Sequence, residues 1–381
     1  MRAERPSEVV IIGAGVVGCA IAYELARAGV RVTVVERECV AYGGSGRNGG
    51  GVRAQWRFRT ELPWAMAAIE IFKTLDEELG IDSEYRQTGN LILAADEAEM
   101  AEHRASVAEQ RAAGLDTCIL SAEEVFELAP ALDRRAPIAG ARYCPTDGSC
   151  NPIAVTYGYA RAAEREGARF LLHTAATAIA AHGGRAQGVE TAAGRIAADL
   201  VVLAAGPWSV PLAHGVGVEL PIEPHRHHVF VTEPVPPLME PFGIHLASGA
   251  WWRQARSGAM HVGMGQETPP TFSQEVDANW LPQAARTILT FLPGLARVKV
   301  IRCWAGLYDV TPDACHIVDW APGVEGLLIA AGFSGHGFAL GPITGRLVKE
   351  LLVDGRPSLA LEPFALSRFS GEGFGRAATI L

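Results

Sequence analysis

Continuous apolar runs and helical spacing follow each other from the start of the chain. Residues 9–12 (VVII) are apolar and mostly β-branched, which predicts a strand buried on both faces. Residues 16–28 have the spacing of a helix that ends before Gly29, and residues 30–35 again predict a strand. The chain is therefore expected to open with a strand, a helix and a second strand in a parallel unit.

The same two patterns continue along the chain and divide it into two kinds of segment. Helices are predicted at 64–79, 97–113, 152–166, 278–291 and 340–352, and strands at 89–95, 168–174, 200–208, 228–232, 260–263 and 327–332, with a hairpin around 182–185. Parallel-type strands at the start, middle and end alternate with antiparallel-looking material. This order predicts an α/β plus α+β chain, in which a Rossmann-like domain (1–84, 145–219 and 321–381) is interrupted by a discontinuous second domain (85–144 and 220–320) built on a mostly antiparallel sheet.

Three glycines after the first strand have the spacing of a dinucleotide-binding turn. Gly13 permits the tight turn, Gly15 lets the backbone approach a pyrophosphate, and Gly18 lets the helix pack closely on the strand. Glu36 ends the second strand, where a carboxylate accepts hydrogen bonds from ribose hydroxyls. A carboxylate there disfavours a 2′-phosphate, so NADP is not expected, while NAD and FAD both stay open.

Composition limits the class of protein further. The 381 residues are 49% hydrophobic and 20% charged with a net charge of −9, which gives no reason to expect nucleic acid. Without an apolar run of transmembrane length or a signal-peptide core, the expectation is a cytoplasmic enzyme. The seven cysteines are scattered, and Cys144 and Cys150 are interpreted as structural thiols, so no metal site is expected.

A second glycine-rich loop, residues 42–53, carries hydroxyl, guanidinium and amide donors. Such a loop can surround a phosphate and bring its backbone against a flat ring. The apolar Val52 near its end and the Gln55-Trp56 that follow it argue against a flexible linker.

Three further segments carry a resemblance to a known family: 203–209 (LAAGPWS), 304–313 (WAGLYDVTPD) and 332–338 (GFSGHGF). With the two glycine loops, the chain resembles the FAD-dependent amine and amino-acid oxidoreductases of the D-amino-acid oxidase type. Within them it is most similar to the β subunits of heterotetrameric sarcosine oxidase and dye-linked L-proline dehydrogenase. The resemblance implies FAD rather than NAD and oxidation of a C–N bond by hydride transfer to flavin N5, followed by hydrolysis of the imine.

The resemblance and the motifs together indicate a set of cofactor-binding residues. They are Gly13, Gly15, Val16, Val17, Gly18, Glu36, Arg37, Ser45, Gly46, Arg47, Asn48, Gly49, Gly50, Ala176, Ala205, Gly206, Trp208, Gly306, Gly332, Ser334, Gly335, His336, Gly337 and Phe338. Glycines on both sides of His336 allow a turn over the pyrimidine end of the flavin. The amides of the helix that follows would stabilise negative charge there.

Candidate catalytic residues are fewer. His336 is either a base or, as the glycines beside it favour, a support for its loop. Tyr308 stands where related oxidases carry a carboxylate-binding arginine, and it offers a hydrogen bond but no charge. Arg53 resembles the carboxylate-binding arginine of monomeric sarcosine oxidase, with a phosphate contact or a structural ion pair as the alternative. Arg253, His261 and His227 lie on predicted strands, where solvated or core roles are favoured over contact with the flavin.

Departures from the family refine the expected function. Gly306 replaces the cysteine that binds FAD covalently in monomeric sarcosine oxidase, and Cys303 is three residues too early, so FAD is expected to be non-covalent. Ala339 replaces a lysine important for the oxygen reaction, which favours a dehydrogenase over an oxidase. Pro152 replaces the histidine that carries covalent FMN in heterotetrameric sarcosine oxidase.

The resulting hypothesis is an FAD-dependent dehydrogenase of a secondary amine or N-substituted amino acid (proline, sarcosine or opine-like). It would be the β subunit of a complex with an α subunit and an electron acceptor. A second, non-covalent flavin (FMN) at a subunit interface stays open. The alternatives are a stand-alone amino-acid oxidase and a flavin-binding assembly subunit without turnover.

Overall fold

Strands and helices alternate throughout the computed structural model, which describes residues 6–56, 59–265 and 269–370. The helices are α1 (Val16–Arg27), α2 (Leu62–Leu79), α3 (Glu97–Ala112), α4 (Ala122–Leu128), α5 (Pro152–Arg165), α6 (Ser209–His214), α7 (Trp280–Phe291) and α8 (Gly337–Lys349). The strands are β1 (Glu8–Ile12), β2 (Arg31–Val35), β3 (Gly51–Val52), β4 (Asn90–Ala94), β5 (Cys118–Ser121), β6 (Gly140–Cys144), β7 (Gly148–Ser149), β8 (Arg169–Leu171), β9 (Ala176–His182), β10 (Arg185–Thr191), β11 (Gly194–Ala197), β12 (Leu200–Leu203), β13 (Glu223–Pro234), β14 (Phe242–His245), β15 (Ala250–Gln254), β16 (Ala259–Met264), β17 (Val300–Val310), β18 (Ile317–Trp320) and β19 (Leu327–Ala331).

A six-stranded sheet holds the apolar strands of the start, middle and end of the chain, in the order β18-β19-β12-β1-β2-β8. Its neighbours pair in parallel except at one edge, where β18 is antiparallel to β19. Val9, Val10 and Ile11 of β1 are fully buried. Both faces of the sheet are covered, which is why these central strands are apolar at every position.

Helices α1 and α8 pack unusually closely on one face of this sheet. A Cβ placed on Gly345 of α8 would lie 2.7 Å from the carbonyl carbon of Ala20, and one on Gly341 would lie 2.9 Å from the Val16 side chain. Because α1 follows β1 and α8 follows β19, which run in the same direction, both helix N-termini lie at one edge of the sheet.

An eight-stranded sheet carries the second half of the fold, in the order β17-β13-β16-β15-β14-β4-β6-β5. Every pair of neighbours is antiparallel except β14 and β4, which confirms the expected mostly antiparallel sheet. One face packs on α7 through Phe230, Trp252, Val262 and Trp280. The opposite face carries Tyr308, His227, Trp251 and Arg253, because side chains alternate along each strand.

Smaller pieces complete the described chain. Strands β9, β10 and β11 form a three-stranded antiparallel sheet that contains the predicted hairpin. Strand β3 pairs with β7, which ties the second glycine loop to the segment before α5. No described helix combines the length and apolar character that crossing a bilayer requires.

The structure differs from the sequence prediction in two elements near the site. Helix α8 begins at Gly337 rather than at Leu340, and ends at Lys349 before a π-helical turn, Glu350–Asp354. Glycine is tolerated there because the first amides of a helix have no intrahelical partner. Strand β18 pairs within the six-stranded sheet, although the predicted boundary at 320/321 puts it in the second domain. The division into two domains stays a prediction, and the pairing of β18 favours a last boundary before Ile317. The two ends of the predicted first domain, 1–5 and 371–381, lie outside the described residues.

We predict that Gly345→Val lowers the free energy of unfolding by about 2 kcal/mol, because the added methyl groups force α8 away from α1. Urea unfolding followed by circular dichroism measures the loss. Gly294→Ala is the control, since a Cβ there meets no atom within 4 Å. Equal stability of the two variants would contradict the close contact of α1 and α8.

Candidate active site

An elongated cavity of about 430 Å³ opens where the N-termini of α1 and α8 meet the glycine-rich loop and β17. That volume is typical of a pocket for a small molecule. Most of the cofactor-binding residues expected from sequence line it: Gly13, Gly15, Val16, Val17, Glu36, Arg37, Ser45, Asn48, Ala176, Ala205, Gly206, Trp208, Gly335, Gly337 and Phe338. Outside the lining are Gly18, Gly46, Arg47, Gly49, Gly50, Gly306, Gly332, Ser334 and His336.

The turn after β1 is built as the glycine spacing predicts. Gly13 has φ of +108°, and a Cβ on it would lie 2.4 Å from the carbonyl oxygen of Ala204. A Cβ on Gly18 would lie 2.0 Å from the carbonyl oxygen of Gly13. Gly18 therefore acts by letting α1 pack against the turn, which is why it is absent from the cavity wall.

Glu36 is fixed at one end of the cavity by two backbone amides. Ala14 N–H donates to Oε2 at 2.9 Å and Glu38 N–H donates to Oε1 at 2.9 Å. Each carboxylate oxygen keeps a further lone pair that can accept a ribose hydroxyl. Beside it the Arg37 guanidinium lies 3.9 Å above the Trp208 ring, so an aromatic and cationic wall flanks the carboxylate.

The second glycine loop folds over the N-terminus of α1. Ser45 Oγ accepts the Val16 N–H at 2.9 Å, and Asn48 Oδ1 accepts the Gly50 N–H at 2.7 Å. Arg47 turns away from the cavity: its guanidinium donates to the carbonyls of Tyr42 (2.9 Å) and Ala305 (3.1 Å). Arg47 therefore ties the loop to β17. A Cβ placed on Gly306 would lie 3.0 Å from the Cβ of Arg47.

The loop before α8 closes the other end of the cavity. Gly332, Ser334 and Gly335 all have positive φ, and a Cβ on Gly335 would lie 2.5 Å from the Tyr308 ring. The Asp309 carboxylate accepts the Gly332 N–H at 2.7 Å, while burial raises the pKa of Asp309 to about 6. Gly332 and Ser334 thus shape the loop, and Gly335, Gly337 and Phe338 present the amide end of α8 to the cavity.

These features fit the two ends of an FAD molecule. The backbone approaches the cavity closely at Gly13 and Gly15, a carboxylate stands at the ribose position, and a helix N-terminus faces each end. Cys303 lies on the opposite face of β17 from Gly306, among the core residues around Phe230.

Arg53, a predicted catalytic residue, is half-buried and lines neither of the two cavities described here, but its charge interacts with Tyr308, which lines the large one. Its guanidinium lies 4.2 Å above the Trp56 ring, and within the described ranges no carboxylate comes within 4 Å of it. Burial lowers the pKa of Arg53 to about 10, opposed by the charges of Asp147 and Tyr308, so the group stays cationic at neutral pH. Burial also raises the pKa of Asp147 to about 6.

Tyr308 and His227 form an aromatic pair on the cavity side of the eight-stranded sheet. Their ring centroids lie 3.8 Å apart in a stacked arrangement. Burial raises the pKa of Tyr308 and lowers the pKa of His227 to about 3, so both are neutral at pH 7. A small adjoining cavity is lined by both residues together with Gly49, Gly306 and Trp251.

Arg253 departs from the solvated or core-satisfied role favoured by its sequence position. The residue is 7% exposed, its Nε has no hydrogen-bond partner among the described residues, and no described carboxylate lies within 4 Å of it. It pairs across strands with His261, whose buried Nδ1 also lacks a partner. A Cβ on Gly50 would lie 3.2 Å from Arg253 Nη2. The buried Arg253 guanidinium and the half-buried Arg53 guanidinium are therefore available to anions near the glycine loop.

His336 lies behind the cavity wall as the residue that precedes α8. Its Nδ1 lies 3.1 Å from Oε2 of Glu61, whose Oε1 lies 3.0 Å from Nδ1 of His316. Sequence reasoning missed Glu61, because an acid before Leu62-Pro63 indicates only the start of a helix. It also missed Asp309 and Trp251, which become significant only once their strands are placed.

Comparison with known proteins identifies the same cofactor. The DAO family of FAD dependent oxidoreductases matches residues 8–351. The sarcosine oxidase subunit beta of Rhodobacter capsulatus is 30% identical over 368 residues, covering 95% of this chain and 88% of that protein. The glycine oxidase of Geobacillus kaustophilus is 30% identical, covering 96% of this chain and 98% of that protein.

Solved structures agree with the sequence relatives. The crystal structure of L-proline dehydrogenase from P. horikoshii superposes with a TM-score of 0.91 and 31% identity, covering 97% of this chain and 99% of that chain. Glycine oxidase from Geobacillus kaustophilus gives a TM-score of 0.90 and 28% identity over 97% of this chain and all of that chain. The chain belongs to the DAO family of FAD dependent oxidoreductases.

Proposed function

We propose that this chain oxidises the C–N bond of a small secondary amine or N-substituted amino acid and passes the electrons to an acceptor other than oxygen. The observation that carries the proposal is Arg53, a half-buried cation without a carboxylate within 4 Å in the described chain, whose charge interacts with Tyr308 in the cavity wall. A guanidinium that is partly removed from water is stabilised by an anion, and the substrate carboxylate would supply it. The relatives named for sarcosine, glycine and L-proline all act on amino acids, which supports this substrate class.

The bound FAD supplies the hydride acceptor, so the protein has to hold the donor carbon in place and exclude water. Arg53 would fix the carboxylate, while the neutral Tyr308 and His227 rings would cover the substrate. Because these rings carry no charge at pH 7, they favour the neutral amine, which has an electron pair to give. The amide end of α8 would stabilise negative charge on the pyrimidine part of the reduced flavin.

FAD is expected to be held without a covalent bond. Gly306 has no side chain to form one, and Cys303 points into the core on the other face of β17. Ala339 lies in the first turn of α8. The position thus lacks the lysine that favours reaction with oxygen in the oxidases that this chain resembles. Ala339 therefore supports a dehydrogenase.

Assembly with other subunits is also part of the proposal. Two of the similar proteins are named as the β subunit of sarcosine oxidase. Pro152 begins α5 at the position expected for a covalent FMN histidine, and the next residue, Ile153, is 50% exposed. An exposed isoleucine at the start of a helix fits contact with a partner subunit. FMN there would be non-covalent.

Within this substrate class, Arg253 favours opine-like compounds that carry two carboxylates. It is a buried guanidinium next to Gly50 and, like Arg53, has no carboxylate within 4 Å in the described chain. It lies on the same sheet face as Trp251, which lines the smaller cavity. One arginine would bind each carboxylate of an N-(carboxyalkyl) amino acid.

The overall proposal predicts rapid reduction of an artificial dye by the FAD-loaded chain with one or more of proline, sarcosine and N-(carboxyalkyl) amino acids, under nitrogen and in air alike. Peroxide formation in air should stay at least tenfold slower than dye reduction. Fast peroxide production would instead support a stand-alone amino-acid oxidase. A flavin that no amine reduces, in a chain that captures a partner subunit, would support an assembly subunit without turnover.

Arg53→Met should lower kcat/KM for every carboxylated amine by roughly 30- to 1000-fold, because losing one partner of a buried charge pair costs about 2–4 kcal/mol. Steady-state dye reduction measures it. Arg134→Met is the control, since that arginine pairs with Glu123 on the surface.

Arg253→Met separates the two arginines in the same assay. It should raise KM at least tenfold for substrates with two carboxylates and leave proline and sarcosine unchanged. An equal effect on all substrates would assign Arg253 to the general architecture of the site. No effect of Arg53→Met on any substrate would contradict the carboxylate site itself.

Glu36→Gln should weaken FAD binding by roughly 10- to 100-fold, because hydrogen bonds to a charged group contribute about 1.5–3 kcal/mol. Titration of the flavin-free chain with FAD, followed by quenching of flavin fluorescence, measures the dissociation constant. Glu38→Gln is a matched control, since the Glu38 side chain is not part of the cavity wall. Equal affinities of both variants would show that Glu36 does not contact the ribose.

A further inference from the structure

A carboxylate and two imidazoles form a buried cluster directly behind the flavin end of the cavity. Glu61 and His316 have no exposed surface and His336 is 3% exposed. Glu61 joins them through one oxygen each, at 3.0 Å to His316 Nδ1 and 3.1 Å to His336 Nδ1. Since a carboxylate oxygen only accepts hydrogen bonds, both Nδ1 atoms carry their protons.

Glu61 is ionised in this cluster. Burial alone would raise its pKa, but His336 and His316 outweigh that effect and lower the pKa of Glu61 to about 2. A fully buried carboxylate requires a compensating cation. In the part of the chain that the structure describes, no lysine or arginine lies within 4 Å of Glu61, so the two histidines are the candidates for that cation.

His316 is unsuited to be that cation. Its ring lies among Trp64, Phe333 and Phe364, with centroids 4.5, 5.1 and 3.9 Å away. Its Nε2 is buried without a hydrogen-bond partner in the described chain, so a proton there would add an unsatisfied donor. Burial accordingly lowers the pKa of His316.

His336 is placed to carry the charge. It immediately precedes α8, and its neighbours on both sides, Gly335 and Gly337, line the cavity. Its ring centroid lies 3.8 Å from that of Trp56 in a tilted arrangement, and the same indole, which the Arg53 guanidinium also contacts, attracts cations. The other nearby acid, Asp309, accepts the Gly332 N–H and is not within 4 Å of the imidazole.

We propose that Glu61 is a positioning residue for flavin reduction, which holds His336 as an imidazolium at the N-terminus of α8. His336 lies between Gly335 and Gly337, which line the cavity, so a positive ring there and the helix dipole together stabilise negative charge on the reduced flavin. Glu61 also offsets the cost of placing a cation at a helix N-terminus. The proposal depends on FAD in this cavity and not on the identity of the amine.

Two measurements on the FAD-loaded protein without substrate test the proposal. Sulfite adds to oxidised flavin and leaves an anionic ring, so its dissociation constant reports positive charge beside the flavin. Glu61→Gln and His336→Asn should each weaken sulfite binding at least tenfold. Each should also lower the equilibrium constant for two-electron reduction about tenfold, which is about 30 mV in midpoint potential.

The double variant and a control distinguish electrostatics from structural damage. If Glu61 acts through His336, adding Glu61→Gln to His336→Asn should change sulfite affinity less than twofold. His316→Asn removes the other imidazole and should lower the unfolding midpoint, with sulfite affinity changed less than twofold. Additive effects in the double variant, or an equal effect of His316→Asn, would overturn the proposal.

Nuclear magnetic resonance of the wild-type holoenzyme measures the protonation of the histidine ring nitrogens directly. This test needs no variant, so it holds even where a variant fails to fold. Both nitrogens of His336 should be protonated at neutral pH, while His316 should be protonated only at Nδ1. A neutral His336 would overturn the proposal whichever amine the enzyme oxidises.

Discussion

The close contact between α1 and α8 is the constraint on which the cofactor site depends. Gly341 and Gly345 let the two helices lie side by side on one sheet, with both N-termini at the same edge. One helix end faces the turn at Gly13 and the other faces the turn at Gly335, so an elongated anionic cofactor meets a positive helix end twice. A bulkier residue at the contact would separate these two ends.

Around this frame, the protein balances a small number of buried charges. Arg47 is satisfied by backbone carbonyls and Asp309 accepts a backbone amide, so both shape loops. Arg53 and Arg253 have no carboxylate within 4 Å in the described ranges, and for that reason we propose that they bind the carboxylates of the substrate. Glu61 and His336 form the remaining pair, close to the flavin end but outside the cavity wall.

The sequence predicted the parts of this account that depend on local spacing. The turn at Gly13, the carboxylate at Glu36 and the strand–helix order follow from short motifs with a mechanism. Motif position alone did not show which groups the individual side chains bind. Arg47 donates to the Tyr42 carbonyl, and Asn48 accepts the Gly50 amide, both within the second glycine loop. Glu61 meets two histidines that lie far from it in the chain, with sequence separations of 255 for His316 and 275 for His336. No local pattern predicts such a contact, and the unpartnered state of Arg253 likewise depends on eight paired strands.

The most direct test of the account is a crystal structure of the FAD-loaded protein with a carboxylic acid that cannot be oxidised, such as 2-furoate. We expect the pyrimidine end of the flavin against Gly335 and Gly337, no bond between flavin and protein, and the carboxylate on the Arg53 guanidinium beside Tyr308. A carboxylate bound elsewhere while Arg53 pairs with a protein carboxylate, or a flavin ring away from the N-terminus of α8, would contradict it.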